Sequence, residues 1–248
     1  MITLLALITS GCSSLTGSSG TATPTINPNA ATLKPTAVPS VASQPTGVTT
    51  TATGTTISAS VNQNVPLPMD AGGYLVKVQS NWYLAVDSTS QGSIASINSA
   101  SGGTTSRIMQ YSAQQDTFKI SNAKAPYTVT ITKLPLPNPV TPPQTFSGIG
   151  MQDSGPITLS KGTATFSIKC PNTAADPNGI SMFAVDLKDG TTGDEIGKIA
   201  MNTGTDPNHP VLTDYNSQTT FDIPANGVYI VEVSMANPQA SWQITVSE

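Results

Sequence analysis

Charged side chains are scarce in this chain, and histidine, cysteine and aromatic residues are scarcer still. Charged residues make up 10% of the 248 positions, against roughly 25% in ordinary soluble domains. The formal net charge of −4 argues against a nucleic-acid-binding protein, which would carry a clustered basic face. A single histidine and two cysteines remove the usual zinc and thiol chemistries, and they weigh against most enzymes as well.

The hydrophobic residues set the kind of core that the chain can form. They amount to 37% of the sequence, but only 5% is aromatic, so the core must consist mainly of Val, Ile, Leu and Ala. The apolar run at the N-terminus (MITLLALI, residues 1–8) is far shorter than the roughly 20 residues that a transmembrane helix needs. We therefore expect it to be a signal segment and not a membrane span.

The residues that follow this run suggest how the chain is attached. An apolar stretch that ends in small residues directly before a cysteine, here TSGC at 9–12, resembles the lipobox of bacterial lipoproteins. The resemblance implies a signal peptide at 1–11, acylation of Cys12 and anchoring in a membrane through the acyl chains. Because Ser13 is not an aspartate, it also implies a place in the cell envelope, at the outer membrane or cell surface. The alternative is an ordinary secretory signal with an incidental cysteine.

The next segment lacks any hydrophobic periodicity. Between residues 13 and 56 the chain consists mostly of Ser, Thr, Ala, Pro, Gly and Asn, and Lys34 is its only charged residue. Too few apolar side chains are present to offset the entropy of ordering the backbone, and the prolines favour extended conformations. We predict a lipidated, disordered tether at 12–56. Both a plain spacer and a glycosylated stalk remain open.

Beyond residue 56, segments of alternating hydrophobicity are punctuated by Gly, Asn, Asp and Pro, a pattern typical of β-strands. The prolines of LPLPNPVTPP at 134–143 cannot donate ladder hydrogen bonds, so this segment predicts a linker. We expect an all-β protein of two tandem antiparallel β-sandwich domains, at 57–133 and 145–248, with the linker at 134–144. The predicted strands are 57–61, 73–79, 82–87, 117–120, 127–132, 163–169, 181–187, 219–223, 228–234 and 241–246.

Short matches that recur in the same order indicate that the two predicted domains are an internal repeat. Each match is brief, but four in one order are hard to obtain by accident. They pair 74–78 with 166–169, 84–87 with 183–186, 117–120 with 220–223, and 125–129 with 227–231.

The second half has the more recognisable pattern. FSGIG at 146–150, ITLSKG at 157–162 and FDIPANGVYIVEV at 221–233 resemble the pre-peptidase C-terminal type of sandwich domain. The resemblance covers 145–248 well and 57–133 only faintly. It implies a non-catalytic appendage of a secreted protein, of a kind that sometimes binds collagen or carbohydrate. The acidic cluster that such domains often carry is reduced here to Asp87 and Asp186.

We interpret two reactive side chains, those of His209 and Cys170, as non-catalytic. His209 lies among turn formers in DPNHP at 206–210, and the chain has no Gly-x-Ser-x-Gly elbow, so we interpret it as an exposed loop residue. A Ser/His/Asp site would require it to meet a serine and an aspartate. Cys170 is interpreted as a small buried hydrophobe, with a reactive or intermolecular thiol as the alternative. We predict no catalytic residue and no required cofactor.

One acidic cluster is a candidate metal site. Asp186, Asp189, Asp194 and Glu195 flank two glycines and could supply the six to eight oxygens that Ca²⁺ requires. The same residues could act as a glycosidase carboxylate pair. The simpler alternative is that Asp189 and Gly190 form a turn between two strands.

The aromatic residues Trp82 and Tyr83 are candidate ligand-binding residues, since an aromatic face can stack on a sugar ring. The alternative is that they belong to the core. Trp242 alternates with Ile244 and Val246, which favours the core for this residue.

Together these features predict a non-enzymatic cell-envelope lipoprotein that displays β-sandwich modules for adhesion or binding. Its expected partners are a membrane, through Cys12, and a glycan or a surface protein. The alternatives are a carbohydrate-binding accessory module, a structural subunit of a surface filament or layer, and a hydrolase built around His209.

Overall fold

A computed structural model describes residues 47–171, 182–203 and 215–248. All secondary-structure elements within these ranges are β-strands, which confirms the all-β prediction. The strands are β1 (Gly47–Thr51), β2 (Gly54–Ala59), β3 (Gln63–Met69), β4 (Gly72–Ser80), β5 (Leu84–Ser88), β6 (Gly92–Ile97), β7 (Gly103–Tyr111), β8 (Gln114–Ser121), β9 (Tyr127–Lys133), β10 (Gln144–Ile149), β11 (Asp153–Leu159), β12 (Gly162–Cys170), β13 (Met182–Asp189), β14 (Glu195–Thr203), β15 (Tyr215–Ile223), β16 (Gly227–Met235) and β17 (Ser241–Ser247). No helix that could span a membrane is found among the described residues.

The strands form four antiparallel sheets that pack as two sandwiches, as the sequence predicts. In the first sandwich the sheets have the orders β1-β2-β9-β4-β7 and β3-β8-β5-β6. In the second they have the orders β10-β17-β12-β15 and β11-β16-β13-β14. All strand-to-strand pairings are antiparallel in the part of the chain that is described.

Each sandwich encloses its own core of mostly aliphatic side chains. Strand β12 shows how the sequence produces it: Ala164, Phe166 and Ile168 are buried, and the residues between them are not. This alternation follows from the two-residue period of a strand, which sends neighbouring side chains to opposite faces. On β16, Tyr229 and Val231 are buried in the second core.

The strand orders confirm the internal repeat. Apart from β1, each strand of the first sandwich occupies the position of the strand numbered eight higher in the second. The equivalent strands β4 and β12 both begin at a glycine with a φ of +135°, Gly72 and Gly162. Residues with a side chain rarely adopt this conformation, so both copies use a glycine at the start of this strand.

Two of the four sequence matches nevertheless joined the wrong strands. Residues 117–120 lie on β8, and their match at 220–223 lies on β15, whereas the equivalent of β8 is β16. Residues 125–129 lead into β9, whose equivalent is β17, but their match at 227–231 lies on β16. The error arises because alternating hydrophobicity has the same period in every strand, so that short matches cannot distinguish neighbours.

The first strands also correct the predicted extent of the tether. Strand β1 and the start of β2 lie at 47–56, which we had assigned to the disordered segment. All five residues of β1 (GVTTT) are exposed, and the strand pairs only with β2. A strand without a buried face carries no alternating pattern, which is why the sequence does not reveal it. Residues 12–46 of the predicted tether, including Cys12, lie outside the described residues.

The proline-rich segment between β9 and β10 packs on both sandwiches. Leu134 is buried, and its N–H donates to the carbonyl of Gly73 in the first sandwich at 2.9 Å. Further along, the N–H of Val140 donates to the carbonyl of Pro156 in the second sandwich at 3.1 Å. The predicted linker therefore forms part of the contact between the two sandwiches.

Strand β7 of the first sandwich lies against β11 and β16 of the second. The N–H of Ser106 donates to the carbonyl of Met151 at 3.1 Å, and Ser106 Oγ accepts from the N–H of Asp153 at 2.9 Å. Ile108, with Leu134, forms a small buried cluster against the outward-facing Ile230 of β16. Backbone hydrogen bonds and apolar burial thus hold the two sandwiches together.

Candidate functional site

An open cavity of about 590 Å³ lies at one end of the first sandwich, and we call it the end cavity. Its volume is within the range of small-molecule sites, roughly 300–1,000 Å³. None of its lining residues is charged, and most carry hydroxyl or amide groups. The lining residues are Ser58, Ala59, Ser60, Val61, Gln79, Ser80, Asn81, Pro126, Tyr127 and Thr128.

Trp82 and Tyr83 follow the cavity-lining residues Ser80 and Asn81 in the loop before β5. The N–H of Trp82 donates to Ser80 Oγ at 3.2 Å, which fixes the loop against the cavity wall. The two rings meet edge to face, with centroids 5.6 Å apart and an angle of 83° between their planes. Tyr83 is 42% exposed and Trp82 is half-buried. We had placed both on a strand, but β5 begins only at Leu84, so a loop presents them to solvent.

Tyr127 forms a polar part of the cavity wall. Its hydroxyl donates to the carbonyl of Val61 at 3.1 Å and accepts a hydrogen bond from Gln63 Nε2. Burial raises the pKa of Tyr127 above its usual value of 10.0, although the hydrogen bond from Gln63 lowers it, so the phenol stays neutral. The other amide atom, Gln63 Oε1, is buried and has no hydrogen-bond partner among the residues described. The wall therefore offers neutral hydrogen-bonding groups.

Trp242 lies on β17, which is the equivalent of β9, the strand that carries Tyr127. It is buried in the core of the second sandwich, as predicted. It is 3% exposed, and its Nε1 donates to the carbonyl of Gly150 at 2.8 Å. A side chain on Gly148 would collide with the indole, so the ring fills this position.

A second cavity of about 720 Å³, the inter-sandwich cleft, lies between the two sandwiches. It also lacks charged side chains, and no phenylalanine, tyrosine or tryptophan lines it. Gln152 Nε2 donates to the carbonyl of Thr104 at 3.0 Å, which ties its two walls together. Its lining residues are Ser96, Ile97, Asn98, Ser99, Ser101, Gly102, Gly103, Thr104, Thr105, Gly148, Ile149, Gly150, Met151, Gln152, Ala236, Pro238 and Gln239.

The linings of these two cavities consist of neutral groups. Neither lining contains a carboxylate, an amine, an imidazole or a thiol. The polar side chains present are hydroxyls, amides and the phenol of Tyr127. Hydroxyls, amides and backbone groups can hold a neutral polar ligand.

The four residues predicted to bind calcium are engaged with different protein groups. Lys198 Nζ lies 2.6 Å from Asp186 Oδ1. Asp189 Oδ1 accepts from the backbone N–H groups of Thr191 and Thr192 at 2.7 and 2.8 Å, as in a side-chain-capped turn. This geometry agrees with the simpler interpretation of Asp189 and Gly190 as a turn.

The other two carboxylates point to separate partners. Gln110 Nε2 of the first sandwich donates to Asp194 Oδ1 at 2.7 Å. Glu195 Oε2 lies 3.2 Å from Lys188 Nζ. Within the described ranges no group of three or more His, Cys, Asp or Glu side chains could hold a metal ion. Calcium binding stays a prediction, and it would require these carboxylates to exchange their present partners.

A buried pair of carboxylates that we do not predict from the sequence lies between the sandwiches. Asp153 on β11 is directly opposite Glu232 on β16. Glu232 is 3% exposed, accepts from the N–H of Ile108 at 3.1 Å and lies 3.4 Å from Lys188 Nζ. Both carboxylate oxygens of Asp153 are buried without a hydrogen-bond partner in the described ranges. The only sequence signal is Glu232 itself, a charged residue inside the apolar strand VYIVEV.

This environment favours a proton on the pair. Burial, followed by the charge of Glu232, raises the pKa of Asp153 from 3.8 to about 7. Burial also raises the pKa of Glu232, more than the nearby ammonium of Lys188 lowers it. The pKa of Lys188 is raised, because the charges of Glu232 and Glu195 outweigh the effect of burial. In the folded protein Asp153 therefore keeps its proton to a higher pH than an exposed aspartate does, close to a charged lysine.

Cys170 is not among the residues that line either cavity. Cys170 is buried at the end of β12, as expected, with 7% of its surface exposed. His209 lies outside the described residues, so its predicted place in an exposed loop stays a prediction.

Comparisons with known proteins found similarity only among solved structures. No protein-family model and no curated protein matches this chain. The similar structures include the complex of the plant peptide RALF23 with FER and LLG2, at 6% identity and a TM-score of 0.27, covering 78% of this chain and 83% of that one. They also include the ANX1 ectodomain from Arabidopsis thaliana, at 7% identity and a TM-score of 0.26, with coverage of 78% and 83%.

A bacterial structure is similar at the same level. The tandem CBM22-1–CBM22-2 domains of Xyn10C from Paenibacillus barcinonensis match at 9% identity and a TM-score of 0.28, covering 78% of this chain and 86% of that one. The resemblance to the pre-peptidase C-terminal type of domain stays a prediction. The function is therefore argued from the residues of this chain.

Proposed function

We propose that this chain is a non-catalytic binding protein and that its end cavity takes a neutral, hydroxyl-rich ligand, a segment of carbohydrate. The observation that carries the proposal is the lining of the cavity, which combines hydroxyl and amide groups with no charged side chain. Such groups match the alternating donors and acceptors of sugar hydroxyls. An anionic or cationic ligand would lose its hydration there without gaining a counter-charge.

The adjoining loop supplies the apolar component that a sugar ring requires. Tyr83 is the more exposed aromatic ring of the loop, and Trp82 packs against it edge to face. An aromatic ring that is held by a neighbour can cover the C–H face of a pyranose while losing little side-chain entropy. The proposal therefore favours the carbohydrate-binding alternative over display of the sandwiches for adhesion alone.

Screening the full chain on an array of neutral and charged glycans tests this function. We expect binding to neutral glycans, and Trp82→Ala and Tyr83→Ala should each weaken it by about 10-fold, the effect of losing one aromatic contact. Met201→Ala is the matched control, because Met201 is 53% exposed on β14 of the other sandwich. Circular dichroism should show the wild-type fold in all three variants. Absence of neutral-glycan binding, or equal binding by the aromatic variants, would contradict the proposal.

We also propose that the chain is a lipoprotein of the cell envelope, anchored through Cys12. The support is the pattern of small residues before this cysteine. In cells fed radiolabelled palmitate, the wild type should carry label and sediment with membranes. Cys12→Ser should lose both properties, since it removes the thiol that is acylated, whereas Ser13→Ala should keep them. Equal labelling of wild type and Cys12→Ser would refute the anchor.

A further inference from the structure

The edge of the second sandwich differs from the same edge of the first. In the first sandwich, β2 would be the terminal strand of its sheet, but β1 pairs with it and extends the sheet. Its equivalent in the second sandwich is β10, which is terminal in the order β10-β17-β12-β15. No described strand pairs with the outer side of β10. The same edge is therefore occupied by β1 in the first sandwich, whereas no described strand occupies it in the second.

The backbone of β10 is oriented to accept a strand. The N–H of Gly150 donates to the carbonyl of Ala240 at 2.8 Å, one step beyond the pairing of Ile149 with Ser241. Because hydrogen-bonded pairs alternate along an antiparallel ladder, the N–H and C=O groups of Thr145 and Ser147 point away from β17. The side chains of both residues are exposed. An incoming strand would thus meet the N–H groups of Thr145 and Ser147 and the C=O of Ser147 at the usual spacing. It would displace the exposed Gln144 Nε2, which donates to the carbonyl of Thr145 at 3.0 Å.

The β10 edge also lacks the usual protection against pairing. Exposed edges are normally blocked by lysine, by proline or by a bulge. The sequence of β10 is QTFSGI, without a charge or a proline, and its pairing with β17 has no register shift. At its end, Ile149 is 53% exposed and borders the inter-sandwich cleft. A neutral strand with alternating small side chains would pair with the unprotected edge and cover Ile149.

We propose that the outer edge of β10 is a docking site for an extended, uncharged polypeptide strand of a partner protein, which adds to the sheet as β1 adds to β2. The occupant resembles β1 in chemistry: a Thr- and Val-rich segment such as GVTTT, bound antiparallel through its main chain. A polypeptide fits this edge better than a sugar, because the inter-sandwich cleft at its end has no aromatic ring to stack on a pyranose. This site is separate from the end cavity and does not depend on the function proposed for it.

The test uses the full chain and a synthetic peptide with the sequence of residues 46–53, TGVTTTAT. In hydrogen-exchange experiments resolved by residue, the amides of Thr145 and Ser147 should exchange at least about 10-fold more slowly with saturating peptide. Ser147→Pro removes one outward donor at an edge position where proline is tolerated, and it should abolish the protection of Thr145. Ser147→Ala is the matched control and should behave like the wild type, since the backbone N–H is kept.

A peptide with proline in place of the residue corresponding to Thr49 should give no protection, because it lacks a ladder donor. Three outcomes would overturn the proposal. They are unchanged exchange at Thr145 and Ser147 with the peptide, equal protection in the Ser147→Pro variant, and protection that rises with protein concentration in the absence of peptide. The last outcome would show that a second copy of this chain fills the edge.

Discussion

Replacing Lys188 with methionine is expected to destabilise the second sandwich by about 3–5 kcal/mol at pH 8, the usual cost of removing one partner of a buried ion pair. The ammonium lies 3.4 Å from Glu232 Oε2, and only 13% of the lysine side chain is exposed. Methionine keeps most of the volume but leaves the Glu232 carboxylate buried without its counter-charge. Urea denaturation followed by circular dichroism measures the loss.

The control for this prediction is the double variant Lys188→Met, Glu232→Gln. Because glutamine carries no charge, the double variant should recover most of the lost stability. The amide oxygen of the glutamine can still accept the hydrogen bond from the N–H of Ile108. The loss in the single variant should become smaller as the pH falls, since burial raises the pKa of Glu232 and its protonation relieves the buried charge. A loss under about 1 kcal/mol at pH 8, or no recovery in the double variant, would contradict this role of Lys188.

Asp153→Asn is expected to change how stability depends on pH. The pKa of Asp153 is raised from 3.8 to about 7 in the folded protein, so the folded state holds the proton more tightly than the unfolded chain. The stabilisation from this group is complete below pH 4, declines as the pH rises and is lost above pH 7. Asparagine cannot ionise, so the variant lacks this pH-dependent contribution.

The free energy of unfolding of Asp153→Asn, relative to the wild type, should therefore rise by ~2–4 kcal/mol between pH 4 and pH 8, at about 1.4 kcal/mol per pKa unit. Denaturation curves at pH 4, 6 and 8 measure this difference. Asp70→Asn is the control for replacing a carboxylate with an amide at the surface, because the side chain of Asp70 is 80% exposed. A constant difference for Asp153→Asn would mean that this carboxyl holds no extra proton.

Both variants concern the contact between the sandwiches. Ile108, whose N–H donates to Glu232, and Ser106, which bonds to the backbone of Asp153, belong to β7 of the first sandwich. The charged groups that face the pair from the neighbouring strands are Lys188 and Arg107. Ionisation of Asp153 thus places a second negative charge where the two sandwiches meet.

The sequence predicts several of the strands that have one buried face, but not β3, whose alternating pattern includes two prolines. Phe166 and Ile168 alternate with polar residues, and the strand around them is confirmed. The same logic misses β1, all of whose residues are exposed, and β7, whose residues Thr105 and Ser106 are polar but buried. Burial of such hydroxyls depends on hydrogen bonds to Met151 and Asp153 in the other sandwich. A local pattern cannot contain that information.

The candidate sites were harder to predict for a related reason. Trp82 and Tyr83 could be selected by residue type, but the end cavity beside them is formed by three segments that are distant in sequence. Asp194 and Glu195, by contrast, are adjacent in the chain but contact different groups. Asp153 and Glu232 meet only through the register of β11 and β16. Nearness in sequence and nearness in space coincide poorly in antiparallel sandwiches.

The central claim, binding without chemistry, is tested most directly by titrating the strongest-binding neutral glycan into the full chain by calorimetry between pH 5 and pH 8 and recovering the glycan afterwards. The end cavity contains no group that titrates in this range, so the account predicts a constant Kd, no proton uptake or release, and intact glycan. Binding that follows a titration in this range, or cleavage of the recovered glycan, would contradict the account.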